Sequence, residues 1–572
     1  MRRLRLCGML CLVFLAVACS ATPVHTRTPD ADFSRGVELA RSVTGGVTAW
    51  IQQGTLQVLY PQGGRLLHLR LPLPGASAFQ SRLPDPQDVT VPQGAAILPQ
   101  AFALPNADEA LVTLVLVTAQ GPRLFVGRLG PDGWRGALAS LSPPGQAVRT
   151  YRAALTAQGD LVAFWTTKDG PDLWWRRWPQ GRPHSLAVQA TRWALAPLPT
   201  GEVALLWVTP EGALNHALLA PEDALTSPVN LAEGLTSGGG LVDELVAVAS
   251  GERLFVAWEQ RFASGLQAGT SSVWLAAFPW RDLGALRPQR VALPLAEHPA
   301  YVPLTAGPAG WSRWAALAPP GRGSDFVADP WLAPVDEGRV MLAVSAFRLQ
   351  RLDRVAQIAV VYWTPHGMGY QAAARTPGFS QAPQLLTTAT GQWLLWREGA
   401  AGDRLYLAST DPRWRAAWRA TTWADVGEGL LQGTMEALVG AAMFPLALFW
   451  LLPGALVLAL GALLHVGDLT TWGGRAIFLL AFVVYQVTKA FFLPGLFVYT
   501  PFSAWFDLPG QVATALRLGV PVIVPFLGLG VGVAWLHRRQ LTSWALLFLV
   551  SAGVDALVTL MLYGVNFLGA FS

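Results

Sequence analysis

Two hydrophobic rhythms divide this chain. From about residue 28 to 410, short apolar runs of four to seven residues alternate with polar, Gly- and Pro-containing turns, the period expected of β-strands joined as hairpins. Many runs end in tryptophan: Gly46-Val47-Thr48-Ala49-Trp50, Leu161-Val162-Ala163-Phe164-Trp165, Val203-Ala204-Leu205-Leu206-Trp207, Leu254-Phe255-Val256-Ala257-Trp258, Val360-Val361-Tyr362-Trp363 and Trp393-Leu394-Leu395-Trp396. A second strand follows several of them after a Gly-containing loop, as in Leu173-Trp174-Trp175-Arg176, Val273-Trp274-Leu275-Ala276 and Leu405-Tyr406-Leu407-Ala408. From residue 430 the apolar runs lengthen to membrane size. Four spans are predicted, at 435–462, 474–498, 516–536 and 542–568, each long enough for a hydrocarbon core of about 30 Å.

The tryptophans at 165, 207 and 258 recur every 42 to 51 residues, and the intervals Trp50–Trp165 and Trp258–Trp363 are each about two such steps. Leu111–Val117 supplies the strand missing from the first interval. Several short strands repeated at about 40–50 residues describe a β-propeller blade, and the length allows six to eight blades. A pair of β-sandwiches is the alternative, and the short step from Trp363 to Trp396 speaks for it. The hairpins ending in Trp resemble sialidase-type (BNR-repeat) propellers over about two thirds of the exported region. Their Asp-box, Ser-x-Asp-x-Gly-x-Thr-Trp, is missing from the sequence, so the resemblance implies a fold and no catalytic residues.

The first residues carry an address. Arg2, Arg3 and Arg5 precede the apolar run Leu6–Val17 and small Ala18, the layout of a signal peptide. Leu15-Ala16-Val17-Ala18-Cys19-Ser20 resembles the bacterial lipoprotein lipobox, which implies cleavage after Ala18 and a lipid on Cys19. The other two cysteines, Cys7 and Cys11, would leave with the peptide, so no disulfide could brace the mature protein. The predicted organisation is a signal peptide at 1–18, a tether at 19–35, a propeller-like domain at 36–410, a juxtamembrane segment at 411–429 and a four-helix membrane domain at 430–572. With the N-terminus outside the cytoplasmic membrane, an even number of spans returns the C-terminus outside. His537-Arg538-Arg539 then lies in a cytoplasmic loop, in keeping with the positive-inside rule.

Charge narrows the partners. Charged residues make up only 13% of the chain against 52% hydrophobic, the mean hydropathy is +0.36, and the net charge is +5. Beyond the signal peptide there is no basic run interleaved with aromatics to follow phosphates, so nucleic acid is not an expected partner. The expected partners are the lipid bilayer and a protein or glycan at the propeller face. Trp414, Trp418 and Trp423 alternate with Arg415 and Arg419 just before the first span, a pattern for an interfacial anchor with indoles among headgroups and guanidinium groups on phosphates.

Candidate chemistry is sparse. Lys489 and Asp555 each lie 14 residues from the cytoplasmic start of a span, counted from Arg475 and Leu541, which puts them at one depth and predicts an ion pair. Tyr485, Gln486 and Asn566 are the polar candidates nearby. The eight histidines are scattered and no metal-ligand spacing, Walker loop or nucleophile elbow occurs, so no metal, no cofactor other than the lipid on Cys19, and no catalytic residue is assigned. Acidic pairs at Asp243-Glu244, Asp325 with Asp329, and Asp336-Glu337 could in principle serve a glycosidase. The leading reading is a membrane-anchored extracytoplasmic binding or scaffold lipoprotein. The alternatives are a surface glycan hydrolase of sialidase-like fold, and a sensor or assembly subunit of a membrane transport complex.

Overall fold

The computed structural model describes residue 29 and residues 32–569, apart from 74–83, 92–94, 105–107, 169, 265–266, 282–285, 296–299, 306, 320, 351–352, 377, 400–401, 419–422, 467, 494–495 and 497–509. The described chain divides into two units, an all-β one up to residue 420 and a helical one from residue 421.

The β unit is a propeller of seven blades, each an antiparallel sheet. The inner strands are Thr48–Gln52, Ala95–Ala103, Val148–Leu155, Arg192–Pro197, Gly240–Ser250, Val327–Asp336 and Ser380–Thr387 for blades 1 to 7, and each neighbours the next around a closed ring. Blades are zipped by Trp and aliphatic pairs across strands: Trp165 faces Trp174, Trp258 faces Trp274 and Trp396 faces Tyr406. Trp165, Trp393 and Trp396 are wholly buried. Such rings dominate core burial because each hides a large apolar area.

The tryptophans at 165, 207, 258 and 396 lie in the second strand of their blades, and the period of 42 to 51 residues holds over the first three. Trp50 lies in an inner strand and Trp363 in the third strand of blade 6, Asp353–Thr364. The interval from Trp258 to Trp363 is therefore one blade step, not two. The extra chain adds two outer strands, Tyr301–Pro303 and Arg313–Ala316, to the sheet of blade 6, which becomes six-stranded.

Ring closure joins distant sequence. Val37–Ala40 pairs with Arg404–Ser409 as the outermost strand of blade 7. Residues 32–35, expected in a tether, are buried in the propeller instead: Phe33 is fully buried and meets Trp311 edge-on at 6.4 Å. Asp32 fastens this entry. Its carboxylate accepts from Ser312 N (2.7 Å), Ser312 Oγ (2.8 Å) and Gln371 Nε2 (3.0 Å), while its carbonyl oxygen accepts from Arg415 Nη1 at 3.1 Å. Arg415 belongs to α1, Pro412–Trp418, so both ends of the propeller chain meet at one carboxylate.

The helical unit contains α2 (Trp423–Ala442), α3 (Leu448–Leu463), α4 (Trp472–Phe492), α5 (Gly510–Arg539) and α6 (Trp544–Gly569). Four segments are long and apolar enough to cross a membrane: Phe444–Leu463, Trp472–Phe492, Thr514–Arg539 and Trp544–Gly564. The first expected span, 435–462, is broken. α2 stops at Ala442 and a 3-10 turn, Phe444–Ala447, intervenes, because Pro445 has no N–H to continue the ladder. α6 is the hub, packing against α2, α4 and α5. Its neighbours approach on glycines: a Cβ on Gly440 would overlap the Leu560 carbonyl, and one on Gly528 would press on Ser551 and Asp555. Small residues at helix contacts are how membrane helices gain packing without a hydrophobic driving force.

Candidate functional site

A group of charged residues converges at one mouth of the propeller's axial channel, the one formed where the inner strands begin. Three inner strands start with an X-Pro pair in which X has a left-handed backbone: Leu98-Pro99 (φ +49), Asp329-Pro330 (φ +53) and Ala382-Pro383 (φ +50). The strand register slips at each, as it does between Val242 and Glu244 in blade 5. Proline cannot serve the ladder, so a bulge forms and re-aims the side chains around it.

A left-handed non-glycine residue costs on the order of 1–3 kcal/mol and persists only when neighbours hold it. Each here is held by another blade. Tyr151 donates its hydroxyl to Leu98 O (2.5 Å), Asp329 N donates to Glu259 Oε2 (2.9 Å), and Ala382 N donates to Asp329 Oδ2 (2.9 Å). Glu259 thus ties blade 5 to 6, and Asp329 ties blade 6 to 7.

Around this belt lie ion pairs that cross blades. Arg152 of blade 3 pairs with Glu244 of blade 5, while Asp243 takes both Arg192 Nη2 (2.8 Å) and Arg261 Nη1 (3.3 Å). Arg152, Arg192, Asp243 and Glu244 rim a cavity of about 650 Å³ whose wall also carries Arg149, Thr150, Thr166, Thr167 and Thr191. It joins an axial cavity of about 700 Å³, the two sharing Leu98, Gln100, Arg152 and Leu245. Both volumes suit a small-molecule site.

Burial shapes the acids. It pushes Glu259 up to about 7 against the pull of the Asp329 N–H and the Ser271 hydroxyl, and it raises Asp329 and Glu244 as well. Because folded Glu259 holds its proton more tightly than an unfolded glutamate, its contribution is complete below about pH 4.5 and is lost as pH climbs to about 7. Glu259→Gln keeps an acceptor for the Asp329 N–H and turns the other position into a donor to the Ser271 hydroxyl, without the charge. Thermal unfolding between pH 4.5 and 7 should therefore fall less steeply for the variant, by about 3 kcal/mol at the upper end. An unchanged slope would remove Glu259 from the account.

Of the acidic pairs read from the sequence, Asp243-Glu244 and Asp329 reach this mouth. Asp325 pairs with Arg354 at 3.2 Å, and Asp336-Glu337 lies at the opposite end of its strand. The arginines and Glu259 carry no local motif. The repeated X-Pro at inner-strand starts was the available signal.

In the helical unit, Lys489 Nζ lies 2.8 Å from Asp555 Oδ2 and 3.0 Å from Oδ1, and Oδ2 also accepts from Tyr485 Oη (2.5 Å) and Gln486 Nε2 (3.2 Å). Lys489 is 2% exposed and Asp555 fully buried. Lys489 sits in the last turn of α4 and Asp555 near the middle of α6. The side chain of Asn566 lies outside the described residues, as do Cys19, Arg419, the Trp423 side chain and nearly all of the aromatic loop 494–511.

Trp414 corrects the anchor expectation at its own position. At 2% exposure it packs edge-on against Trp393, 5.1 Å between ring centres, so its indole reaches no headgroup layer. Trp418 lies against it in a tilted contact, 5.9 Å between ring centres, and Arg415 is engaged with Asp32.

No protein-family model matches the chain, and no curated protein does. Solved structures similar to it are propeller proteins of low identity. An α-L-arabinanase from Penicillium chrysogenum is 9% identical over 66% of this chain and 98% of its own, with a TM-score of 0.35. The BP39L lectin from Burkholderia pseudomallei is 15% identical over 63% and 97%, TM-score 0.37. The WD40 domain of Toxoplasma gondii coronin is 11% identical over 67% and 88%, TM-score 0.38.

Proposed function

We propose that this chain is a membrane-anchored extracytoplasmic binding protein whose propeller holds a protein or glycan partner at the charged mouth. The observation that carries it is the cavity of about 650 Å³ ringed by Arg149, Arg152, Arg192, Asp243 and Glu244. Paired guanidinium and carboxylate groups beside threonine hydroxyls offer donors and acceptors in fixed directions, which suits recognition of a polyhydroxylated or peptide-like surface.

Binding is favoured over hydrolysis by the state of the acids. Glu259 has the raised value a general acid needs, but it is 4% exposed and both its oxygens are engaged, one by Ser271 Oγ at 2.8 Å and the other by Asp329 N. The test uses the full chain in lipid nanodiscs against a glycan and protein panel. Saturable capture should weaken about tenfold in the double variant Arg152→Ala, Glu244→Ala. Capture indifferent to that change would refute the mouth. Release of reducing sugar ends, abolished by Glu259→Gln, would replace binding by the hydrolase.

The Arg-rich start and the Cys19 lipobox motivate the rest of the proposal: a lipid on Cys19, the propeller outside a bacterial cytoplasmic membrane, and both termini on that side. Intact mass of the mature protein should show an N-terminal acylated Cys19. A mature chain beginning elsewhere would remove the lipid and leave the spans.

A further inference from the structure

We infer that the axial cavity of the propeller binds a single-chain amphiphile, its apolar tail among the inner strands and its anionic head at the charged mouth. This rests on the reading of the mouth as the binding face, and names the class of ligand.

The lining of the channel is the first argument. All seven inner strands put an alanine on it: Ala49, Ala101, Ala153, Ala194, Ala247, Ala333 and Ala382. Blade 7 adds Leu385 and Leu386. Small side chains at the axis are what keep the channel open, since a ring of larger residues would fill it. The resulting space of about 700 Å³ lies within the range of ligand sites and is walled mainly by methyl and aliphatic groups. A buried water needs two to four polar partners; Thr48, Gln100, Gln384 and Thr387 supply some on the wall, but the alanine methyls supply none, so an apolar occupant gains along them where water does not.

The ends of the channel differ, and this is the second argument. Among the residues that line the two cavities, the arginines lie where the strands begin, and the channel opens there into the charged cavity. Arg152 and Arg192 are already paired with Glu244 and Asp243. Arg149 is exposed, lines the same cavity and makes no ion pair or hydrogen bond among the described residues. It is the group left to receive an anion. A ligand that satisfies both regions has one hydrocarbon chain and one acidic head. A purely polar ligand would use the mouth and leave the alanine channel without an occupant.

The test takes the full chain held in amphipol and titrates it with sodium dodecanoate below its micelle concentration, read by calorimetry, with dodecanol as the uncharged arm. Saturable 1:1 binding of dodecanoate is expected. Arg149→Glu, an exposed change that leaves the core alone, should weaken dodecanoate about tenfold and dodecanol hardly at all. Ala247→Phe or Ala153→Phe, which fill the channel, should abolish both while leaving panel capture at the mouth intact. Uptake equal in wild type and the filled variants would locate the amphiphile in the amphipol or the helices and overturn the proposal. Loss of dodecanoate binding alone would leave the binding reading standing. Panel capture unmoved by Arg152→Ala, Glu244→Ala would bring down that reading, and this inference with it.

Discussion

Replacing Lys489 with methionine should cost the helical unit about 3–5 kcal/mol, the range for breaking a buried ion pair from one side. The loss comes less from the missing attraction than from what remains. Asp555 would keep Tyr485 and Gln486 but hold an uncompensated charge at full burial among apolar helices. Asp555→Leu should do comparable damage by stranding the ammonium group in the last turn of α4. The double variant, Lys489→Met with Asp555→Leu, replaces both charges by apolar volume and should be more stable than either single variant. Folded yield and thermal midpoint in detergent, by size exclusion, give the cycle. A double variant no better than the worse single would show that the two charges act separately.

Asp32→Ala should open the propeller at its closure. Its carboxylate satisfies the Ser312 amide, the Ser312 hydroxyl and Gln371, and its backbone engages Arg415. Removing a buried acceptor leaves each donor to bear its desolvation cost, about 1–3 kcal/mol apiece, and charged donors cost more. Gln371 is the buried donor among them, Ser312 being exposed, so a total on the order of 2 kcal/mol follows from it and from the lost carboxylate contact with Arg415 at 3.5 Å. The loss should be local first. Amide exchange should rise in Val37–Ala40 and Arg404–Ser409, the strand pair that closes blade 7, before it rises in blade 3. Uniform exchange across all blades would mean that Asp32 is not the clasp.

The propeller was legible where structure is local. Trp-ending runs followed by Gly turns give hairpins from sequence alone, and seven blades fall within the expected six to eight. What blurred the count was Trp363, which looks like its counterparts at 165, 207 and 258 but ends a third strand. A side-chain type reports burial, not strand order. The clasp at Asp32 was invisible because it joins residues about 280 to 383 positions apart.

The mouth was hidden for the same reason. Arg152 and Glu244 are separated by 92 residues and meet only because blades 3 and 5 curve around one axis. Leu98-Pro99, Asp329-Pro330 and Ala382-Pro383 read locally as turns, whereas in the ring they are bulges at strand starts. Lys489 and Asp555 were conspicuous for the opposite reason. A lone charge in an apolar helix has few permitted surroundings, and the 66 residues between them matter little once both lie in spans. The break at Phe444–Ala447 falls inside one expected span, because Pro445 shows that the ladder stops but not whether the helix resumes at once.

The claim at the centre of this account is that the partner meets the propeller at the mouth where the inner strands begin. Site-specific photo-crosslinking in cells tests it directly, with a benzophenone amino acid placed at Arg149 and Leu241 on that face, and at Gln158 and Glu252 on the opposite one. All four positions are exposed. The account predicts a discrete crosslinked species from positions 149 and 241, lost when Arg152 and Glu244 are both changed to alanine, and none from 158 and 252. Adducts confined to positions 158 and 252 would contradict it.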